Sequence, residues 1–299
     1  MSDAPVMERW TLDVLRQCGR AEISPAVALI RLLAGGNDPG DLEATLGQHG
    51  PDAGRAELEA GAQRVRAVLE DHPACRATVA ELLRRDRDDQ LAGNALEHWR
   101  QWFDGAVRAS PEASVALYSL GDAALLDRAT AEVVGLLEQL GVLAPEREVL
   151  DVGCGIGRFV QALAPQVAAV VGIDIAPGMI AAAQQSCAGP SNVRLLLTSG
   201  RDLAGFGCAS FDLVLAVDTV PYLYRTDPCL VETHLLETAR VLRPGGDLVI
   251  LNLSYRGDLD QDRRDAAGLA EQAGLVILRN GTSDLRLWDG RTFHLRRPV

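Results

Sequence analysis

The clearest chemical pattern in the sequence is a run of alternating glycines that follows a short apolar stretch. Asp151 ends the stretch, and Gly153, Gly155 and Gly157 follow at every second position. Glycine at such positions allows a tight turn and close approach of the backbone to a ligand. A helix that begins directly afterwards points unpaired N–H groups at that ligand. The spacing is GxGxG, whereas the nicotinamide fingerprint GxGxxG would need its third glycine where Arg158 stands.

A second acidic residue, Asp174, ends the next apolar run, 17 residues after Gly157. Since that strand is expected to return to the same edge of the sheet, the Asp174 carboxylate could accept both ribose hydroxyls of a nucleoside. The glycine turn, its strand–turn–helix context, Asp151 and Asp174 together favour a nucleoside site over a doubly wound domain that binds no nucleoside.

The sequence resembles the class I S-adenosylmethionine-dependent methyltransferases over roughly residues 115–299. Five segments carry the resemblance in order: LDVGCGIGR at 150–158, GIDIAPGMI at 172–180, NVRLLLTSGRDL at 192–203, SFDLVLAVD at 210–218 and ARVLRPGGDLVIL at 239–251. Together these motifs are specific to the superfamily, but they do not specify a substrate.

The resemblance implies an α/β fold with a Rossmann-like, seven-stranded, doubly wound sheet in the order 3-2-1-4-5-7-6, strand 7 being antiparallel. It implies S-adenosyl-L-methionine as cofactor, bound across the carboxyl ends of strands 1 and 2. Short runs rich in Val, Ile and Leu that alternate with helical stretches after residue 148 independently favour a parallel sheet covered on both faces.

The resemblance also implies which residues contact the cofactor. Where many relatives carry Asp, this chain has Ser199, and Asp202 could supply the carboxylate instead. Tyr118 could contact the methionine carboxylate, with packing in the core as the alternative. The residues predicted to bind the cofactor are Tyr118, Asp151, Gly153, Cys154, Gly155, Gly157, Asp174, Ile175, Ser199, Gly200, Arg201, Asp202 and Asp218.

Methyl transfer from a sulfonium needs an aligned nucleophile and sometimes a general base. His234 and Tyr222 are the predicted catalytic residues, because they follow strand 4. The alternative for His234 is a histidine on the helix surface or one whose hydrogen bonds are made within the protein. The alternative for Tyr222 is a ring packed in a rigid turn. After strand 5, Tyr255 and Arg256 could orient a polar acceptor, or Arg256 could pair with Asp258.

Two kinds of methyltransferase are disfavoured by the residues after strand 4. Asp218 to Tyr222 is a near miss to the [D/N/S]PP[Y/F] motif of amine methyltransferases, one residue too long and with Val220 in place of a proline. Metal-dependent methyltransferases need a cluster of Asp and Asn ligands, which Asp218 alone does not build, so no metal is expected.

The first part of the chain has a different sequence pattern, since its apolar residues recur at helical spacing among charged ones. We expect two domains: a helical domain at 1–115 and a methyltransferase domain at 116–299. The helical domain is predicted to close over the acceptor or to mediate oligomerisation, for example as a homodimer. Within it, the charged run at 84–89 is expected to be a solvated turn, and the aromatic residues of 90–108 to be core or to line a substrate pocket.

Composition narrows the class of partner. The net charge of −12 makes nucleic acid and an anionic membrane surface poor partners. The chain has no lysine, which excludes Schiff-base chemistry and the usual P-loop. Six scattered cysteines without a CxxC pair indicate a reducing compartment. With neither a signal-peptide pattern nor an apolar run of about 20 residues, a cytoplasmic protein is expected.

These patterns together predict an enzyme, a methyltransferase that acts through an O or N nucleophile of a small-molecule acceptor. A protein methyltransferase and a non-catalytic S-adenosylmethionine-binding protein are the alternatives. Intact Asp151, Asp174 and alternating glycines argue against a decayed site.

Overall fold

The computed structural model describes residues 6–36, 54–88 and 95–299. Its helices are α1 (Val6–Gly19), α2 (Pro25–Ala34), α3 (Arg55–Asp71), α4 (Cys75–Asp88), α5 (Ala95–Ala109), α6 (Pro111–Val115), α7 (Ala123–Gln139), α8 (Arg158–Leu163), α9 (Pro177–Ser186), α10 (Val220–Thr226), α11 (Pro228–Val241) and α12 (Leu259–Ala273). Helix α4 continues through residue 88, so the solvated turn predicted at 84–89 is wrong as far as the structure describes that run.

Seven strands form one sheet. They are β1 (Glu148–Val152), β2 (Ala169–Asp174), β3 (Val193–Leu197), β4 (Phe211–Val217), β5 (Leu242–Leu251), β6 (Val276–Thr282) and β7 (Thr292–Arg296). The order is β3-β2-β1-β4-β5-β7-β6. The first five strands pair in parallel, whereas β7 runs antiparallel to both β5 and β6. The predicted doubly wound sheet is therefore confirmed.

The chain divides into two compact units. One contains Met1–Gln90, Ala109–Ala129 and Arg286–Asp289, and the other contains Leu91–Arg108, Thr130–Leu285 and Gly290–Val299. Most of helix α5 thus belongs to the unit that holds the sheet, although it lies in the first part of the sequence. The predicted helical domain 1–115 and methyltransferase domain 116–299 stay predictions as independently folding domains.

In the first unit, α1 and α3 approach closely at two glycines. A Cβ atom on Gly61 would overlap the Leu15 carbonyl oxygen, and one on Gly19 would overlap the Glu57 carbonyl oxygen. Since neither overlap involves a flexible side chain, only glycine allows this helix contact.

In the second unit, buried apolar residues cover both faces of the central strands. One face carries Leu150, Val171, Val214 and Ile250. The other carries their buried strand neighbours Val149, Val170, Leu215 and Val249. Such continuous burial is typical of a parallel sheet with helices on both faces. The sheet consequently holds the loops at its carboxyl edge in fixed positions.

None of the helices in the described part of the chain is both long and apolar enough to cross a membrane.

Candidate functional site

The alternating glycines form the turn between β1 and α8. Gly153, Gly155 and Gly157 all have positive φ, at 74°, 54° and 82°, a region that favours glycine. The N–H groups of Gly153 and Cys154 both donate to the Ile173 carbonyl oxygen, at 2.8 and 2.9 Å, which anchors the turn on β2. The turn therefore has the tight, closely packed form that its sequence predicts.

Thr219 leaves no space for a side chain at Gly153, the first glycine of the turn. Its hydroxyl donates to the Val152 carbonyl oxygen at 2.7 Å, and a Cβ on Gly153 would overlap this hydroxyl. Sequence reasoning missed Thr219, because only the pairing of β1 with β4 brings these loops together.

Asp174 ends β2 beside the glycine turn. One carboxylate oxygen accepts the Gly155 N–H and the other accepts the Ala176 N–H, both at 2.9 Å. Burial raises the pKa of Asp174, while these backbone donors favour its charged form. The structure thus joins the two elements that the sequence spacing predicts to meet, with a carboxylate held in a fixed orientation.

Asp151 is a buried carboxyl group at the end of β1. Burial raises its pKa to about 7, with Arg158 opposing the shift and Asp174 adding to it. Its Oδ2 atom is buried with no hydrogen-bond partner among the described residues. Since a buried acceptor without a partner is costly, this oxygen is suited to a polar group of a ligand.

Cys154 lies within the turn and is buried. Burial raises the pKa of its thiol well above the usual range, and the charge of Asp151 acts in the same direction. The thiol therefore acts as a small apolar group beside Gly172, where a Cβ would be 3.0 Å from the sulfur.

The predicted adenine side begins with Ile175 and Gly200. Gly200 has a φ of 71°, and a Cβ on it would be too close to the Ile175 side chain. Two loops that follow neighbouring strands thus meet at these residues, and their contacts with an adenine stay predictions.

The other predicted adenine residues are exposed. The Ser199 hydroxyl accepts the Arg201 N–H at 3.3 Å, and Asp202 Oδ1 accepts the Ala204 N–H at 3.0 Å. Both side chains stabilise the turn after β3, and their predicted cofactor contacts stay predictions.

Helix α5 crosses the same edge of the sheet within the second unit. Asp104 Oδ1 accepts the Gly178 N–H at 2.7 Å, at the start of α9, and Leu96 lies beside Gly200. The Asp104 charge also contributes to the raised pKa of Asp174, after burial. Sequence periodicity predicts the helix but carries no signal for these contacts.

A polar cluster around the Asp218 carboxylate follows β4 and β5. Asp218 Oδ1 accepts from the Asn252 amide at 2.9 Å and from the Tyr255 hydroxyl at 2.7 Å. Asp218 and Asn252 both have positive φ, 54° and 66°, a strained conformation for non-glycine residues that occurs often at functional sites. Burial around the hydroxyl and the Asp218 charge raise the pKa of Tyr255 well above its usual range.

Tyr222 lies in helix α10 rather than in a loop, and its ring is 5.8 Å from that of Tyr255. Of the two roles left open for Arg256, the pair with Asp258 is not the one the structure shows. It forms ion pairs with Asp262 at 2.5 Å and with Asp265 at 2.6 Å. These ion pairs fix the loop that carries Tyr255.

His234 is buried within α11. Its Nδ1 atom is 2.9 Å from the Leu230 carbonyl oxygen of the same helix. Burial lowers the pKa of His234, although the Leu230 contact and the charges of Asp202 and Glu237 oppose the shift. This environment favours a neutral imidazole.

Tyr118 is buried in the first unit, where its ring stacks on Trp288 at 5.3 Å. This contact accounts for its burial, and a role at the cofactor stays a prediction. Among the described residues, no three His, Cys, Asp or Glu side chains are placed to hold a metal ion.

The sheet order and the glycine turn define the class I S-adenosylmethionine-dependent methyltransferase fold. Residues 150–250 match the family described as a methyltransferase domain, so the predicted superfamily is confirmed. Magnesium protoporphyrin IX methyltransferase from Synechocystis PCC 6803, solved with bound SAM, has the same fold, with a TM-score of 0.52 and 19% identity. That alignment covers 70% of this chain and 100% of the other.

Two curated relatives are similar in sequence. Demethylmenaquinone methyltransferase from Tropheryma whipplei (strain Twist) is 36% identical over 168 residues, 56% of this chain and 64% of the relative. Ubiquinone biosynthesis O-methyltransferase from Xanthomonas campestris pv. campestris (strain B100) is 33% identical over 114 residues, 38% of this chain and 46% of the relative. The chain thus spans less than two thirds of the relatives it matches.

Proposed function

We propose that this protein transfers a methyl group from S-adenosyl-L-methionine to an O or N nucleophile of a small molecule. The observation that carries the proposal is the half-buried Asp174 carboxylate, held by the Gly155 and Ala176 N–H groups beside the glycine turn. Two small-molecule methyltransferases among the relatives support the substrate class.

The residues present fit this cofactor at two points. Each Asp174 oxygen accepts one backbone N–H, which leaves acceptor capacity for the ribose hydroxyls. Asp151 Oδ2 lacks a partner among the described residues and suits a polar group of the cofactor. When bound, the cofactor supplies a methyl group activated by a positive sulfur, so the chain's task is to align an acceptor with it.

For the acceptor, Tyr222 is better placed than His234. Tyr222 contacts Tyr255, whose hydroxyl donates to Asp218, and this group follows β4 and β5 at the carboxyl edge. The Nδ1 atom of His234 is directed at its own helix. We therefore propose that Tyr222 and Asp218 orient the acceptor and that His234 is a structural residue.

The setting we propose is the cytoplasm, without nucleic acid as a partner. All six cysteines are free, which supports a reducing compartment, and the net charge of −12 disfavours a phosphate backbone. A homodimer is compatible with this function.

The test is isothermal titration of S-adenosylmethionine into the wild-type protein and the Asp174→Ala variant. Loss of hydrogen bonds to a charged acceptor is expected to weaken binding by about 1–3 kcal/mol, or roughly 5- to 150-fold. Asp260→Ala is the matched control, since this exposed carboxylate pairs with Arg263 at the surface. Unchanged affinity in Asp174→Ala would contradict the proposed site.

A further inference from the structure

Five aromatic side chains form a continuous cluster at the carboxyl edge of the sheet; we call Trp99, Trp102, Phe103, Tyr222 and Tyr255 the aromatic cluster. Ring centroids of Trp99 and Phe103, on α5, lie 4.9 and 5.0 Å from that of Tyr222. Tyr222 in turn contacts Tyr255 at 5.8 Å. The rings meet edge to face, and Trp102, Phe103 and Tyr222 are only half-buried, so part of the cluster is open to a neighbouring molecule.

The cluster contains buried donors without a partner. The indole nitrogens of Trp99 and Trp102 are both buried, and neither has a hydrogen-bond partner among the described residues. Trp99 is only 2% exposed. Buried indole N–H groups usually find an acceptor, and since the described residues supply none, we look for it in an oxygen of a bound molecule.

The Tyr255 end of the cluster is polar. Tyr255 donates to Asp218 Oδ1 at 2.7 Å, and half of its surface is exposed. A carboxylate that already collects hydrogen-bond donors attracts a ligand hydroxyl and repels a ligand carboxylate. The cluster therefore presents aromatic rings and indole donors beside a carboxylate.

Helix α5 also lies beside the predicted cofactor residues. Asp104 of this helix accepts the Gly178 N–H, and Leu96 lies next to Gly200. The helix thus extends from the loops after β2 and β3 to Tyr222, which follows β4. A molecule held by the aromatic cluster would be adjacent to a cofactor on this edge.

We propose that the aromatic cluster is the acceptor-binding surface and that the acceptor is a flat aromatic molecule with a hydroxyl group. Trp99 determines specificity by donating its indole N–H to an oxygen of that molecule. This inference rests on the proposed methyltransferase function and adds the chemical class of its substrate.

The probes are 2-naphthol and its saturated counterpart decahydro-2-naphthol, which share a hydroxyl and differ in aromaticity. Each is titrated into full-length protein saturated with S-adenosylhomocysteine, with ¹⁵N-labelled indole signals of the four tryptophans recorded by NMR. We expect 2-naphthol to bind saturably and at least about tenfold more tightly than the decalin alcohol. The Trp99 signal should shift, whereas those of Trp10 and Trp288 should not.

Trp99→Phe removes the N–H and keeps a ring, and it should weaken 2-naphthol binding by about tenfold. Trp10→Phe, in α1 of the other unit, is the control and should bind as wild type. Trp102→Phe gives a second test should Trp99→Phe fail to fold.

Equal binding of the two alcohols, no saturable binding of 2-naphthol, or unshifted Trp99 and Trp102 signals would overturn the inference. In each of these cases, retained S-adenosylhomocysteine binding would leave the proposed function intact. Loss of S-adenosylhomocysteine binding by the wild-type protein would instead contradict the proposed function itself.

Discussion

At the scale of single residues, the site brings two carboxyl groups together, Asp151 buried and Asp174 half-buried. Asp151 and Asp174 lie on neighbouring strand ends, and burial raises the pKa of each. A carboxylate kept in such surroundings destabilises the folded protein at neutral pH and is retained where it serves binding.

Asp151→Asn is therefore expected to raise the melting temperature in the absence of ligand. The folded-state pKa of about 7 exceeds the unfolded value of about 3.9, so the wild type loses stability as pH rises between these values. The free energy of unfolding of the Asn variant should exceed that of the wild type by an amount that grows from about pH 4. This difference should level off above pH 7 at about a few kcal/mol. Thermal unfolding at pH 4.5, 6 and 8 measures it. A gain that is largest at pH 4.5 would contradict the raised pKa.

Part of this site was predictable from single residues. The alternating glycines predict the tight turn, and the acidic residue at the end of the next strand predicts a carboxylate beside it. Both predictions succeed because each depends on a short stretch of chain. Thr219 and Asp104 were not predictable, since their contacts with Val152 and Gly178 depend on how separate elements pack. The pairing of Arg256 with Asp262 and Asp265, rather than Asp258, likewise depends on where α12 lies.

At the scale of elements, an ion-pair network around the buried Asp247 carboxylate fixes the central strands at the end opposite to the glycine turn. Asp247 in β5 is fully buried and accepts from His294 and Arg296 of β7, each at 2.8 Å, and from Arg147 at 3.0 Å. Burial alone would raise the pKa of Asp247, but these donors outweigh it and hold the pKa below its usual value.

Asp247→Asn should destabilise the protein by about 2–4 kcal/mol at pH 7, because the arginines lose their buried counter-charge. The lowered folded-state pKa means that the carboxylate stabilises the fold above about pH 3.9, and that this stability is lost as pH falls through the folded-state pKa. The difference from wild type, measured by urea unfolding, should therefore shrink toward pH 3. Asp260→Ala is the surface control, and an equal loss of stability in both variants would argue against the network.

The helices show where sequence patterns lose information. Apolar periodicity predicts α5 correctly as a helix, but the same period does not say which unit the helix packs on. Helix α4 includes the charged run at 84–88, because mixed charges are compatible with a helix as well as with a turn. The strands were more predictable, since short runs rich in Val, Ile and Leu favour a parallel sheet, and the resemblance implies its strand order.

At the scale of the whole molecule, no metal dependence is expected. A sulfonium needs no Lewis acid, and the described residues hold no three-ligand cluster. Excess EDTA should therefore leave the melting temperature unchanged. The affinity for S-adenosylmethionine should stay within about twofold of its value without EDTA. Affinity that falls on chelation and returns with Mg²⁺ would reveal a metal site.

The central claim is that the glycine turn and Asp174 select S-adenosylmethionine over a nicotinamide dinucleotide. Isothermal titration of the wild-type protein with S-adenosylmethionine, S-adenosylhomocysteine and NAD tests it most directly. We predict that S-adenosylmethionine and S-adenosylhomocysteine bind saturably and compete for one site, and that NAD gives no comparable binding. Saturable binding of NAD, with no response to S-adenosylmethionine, would contradict the account.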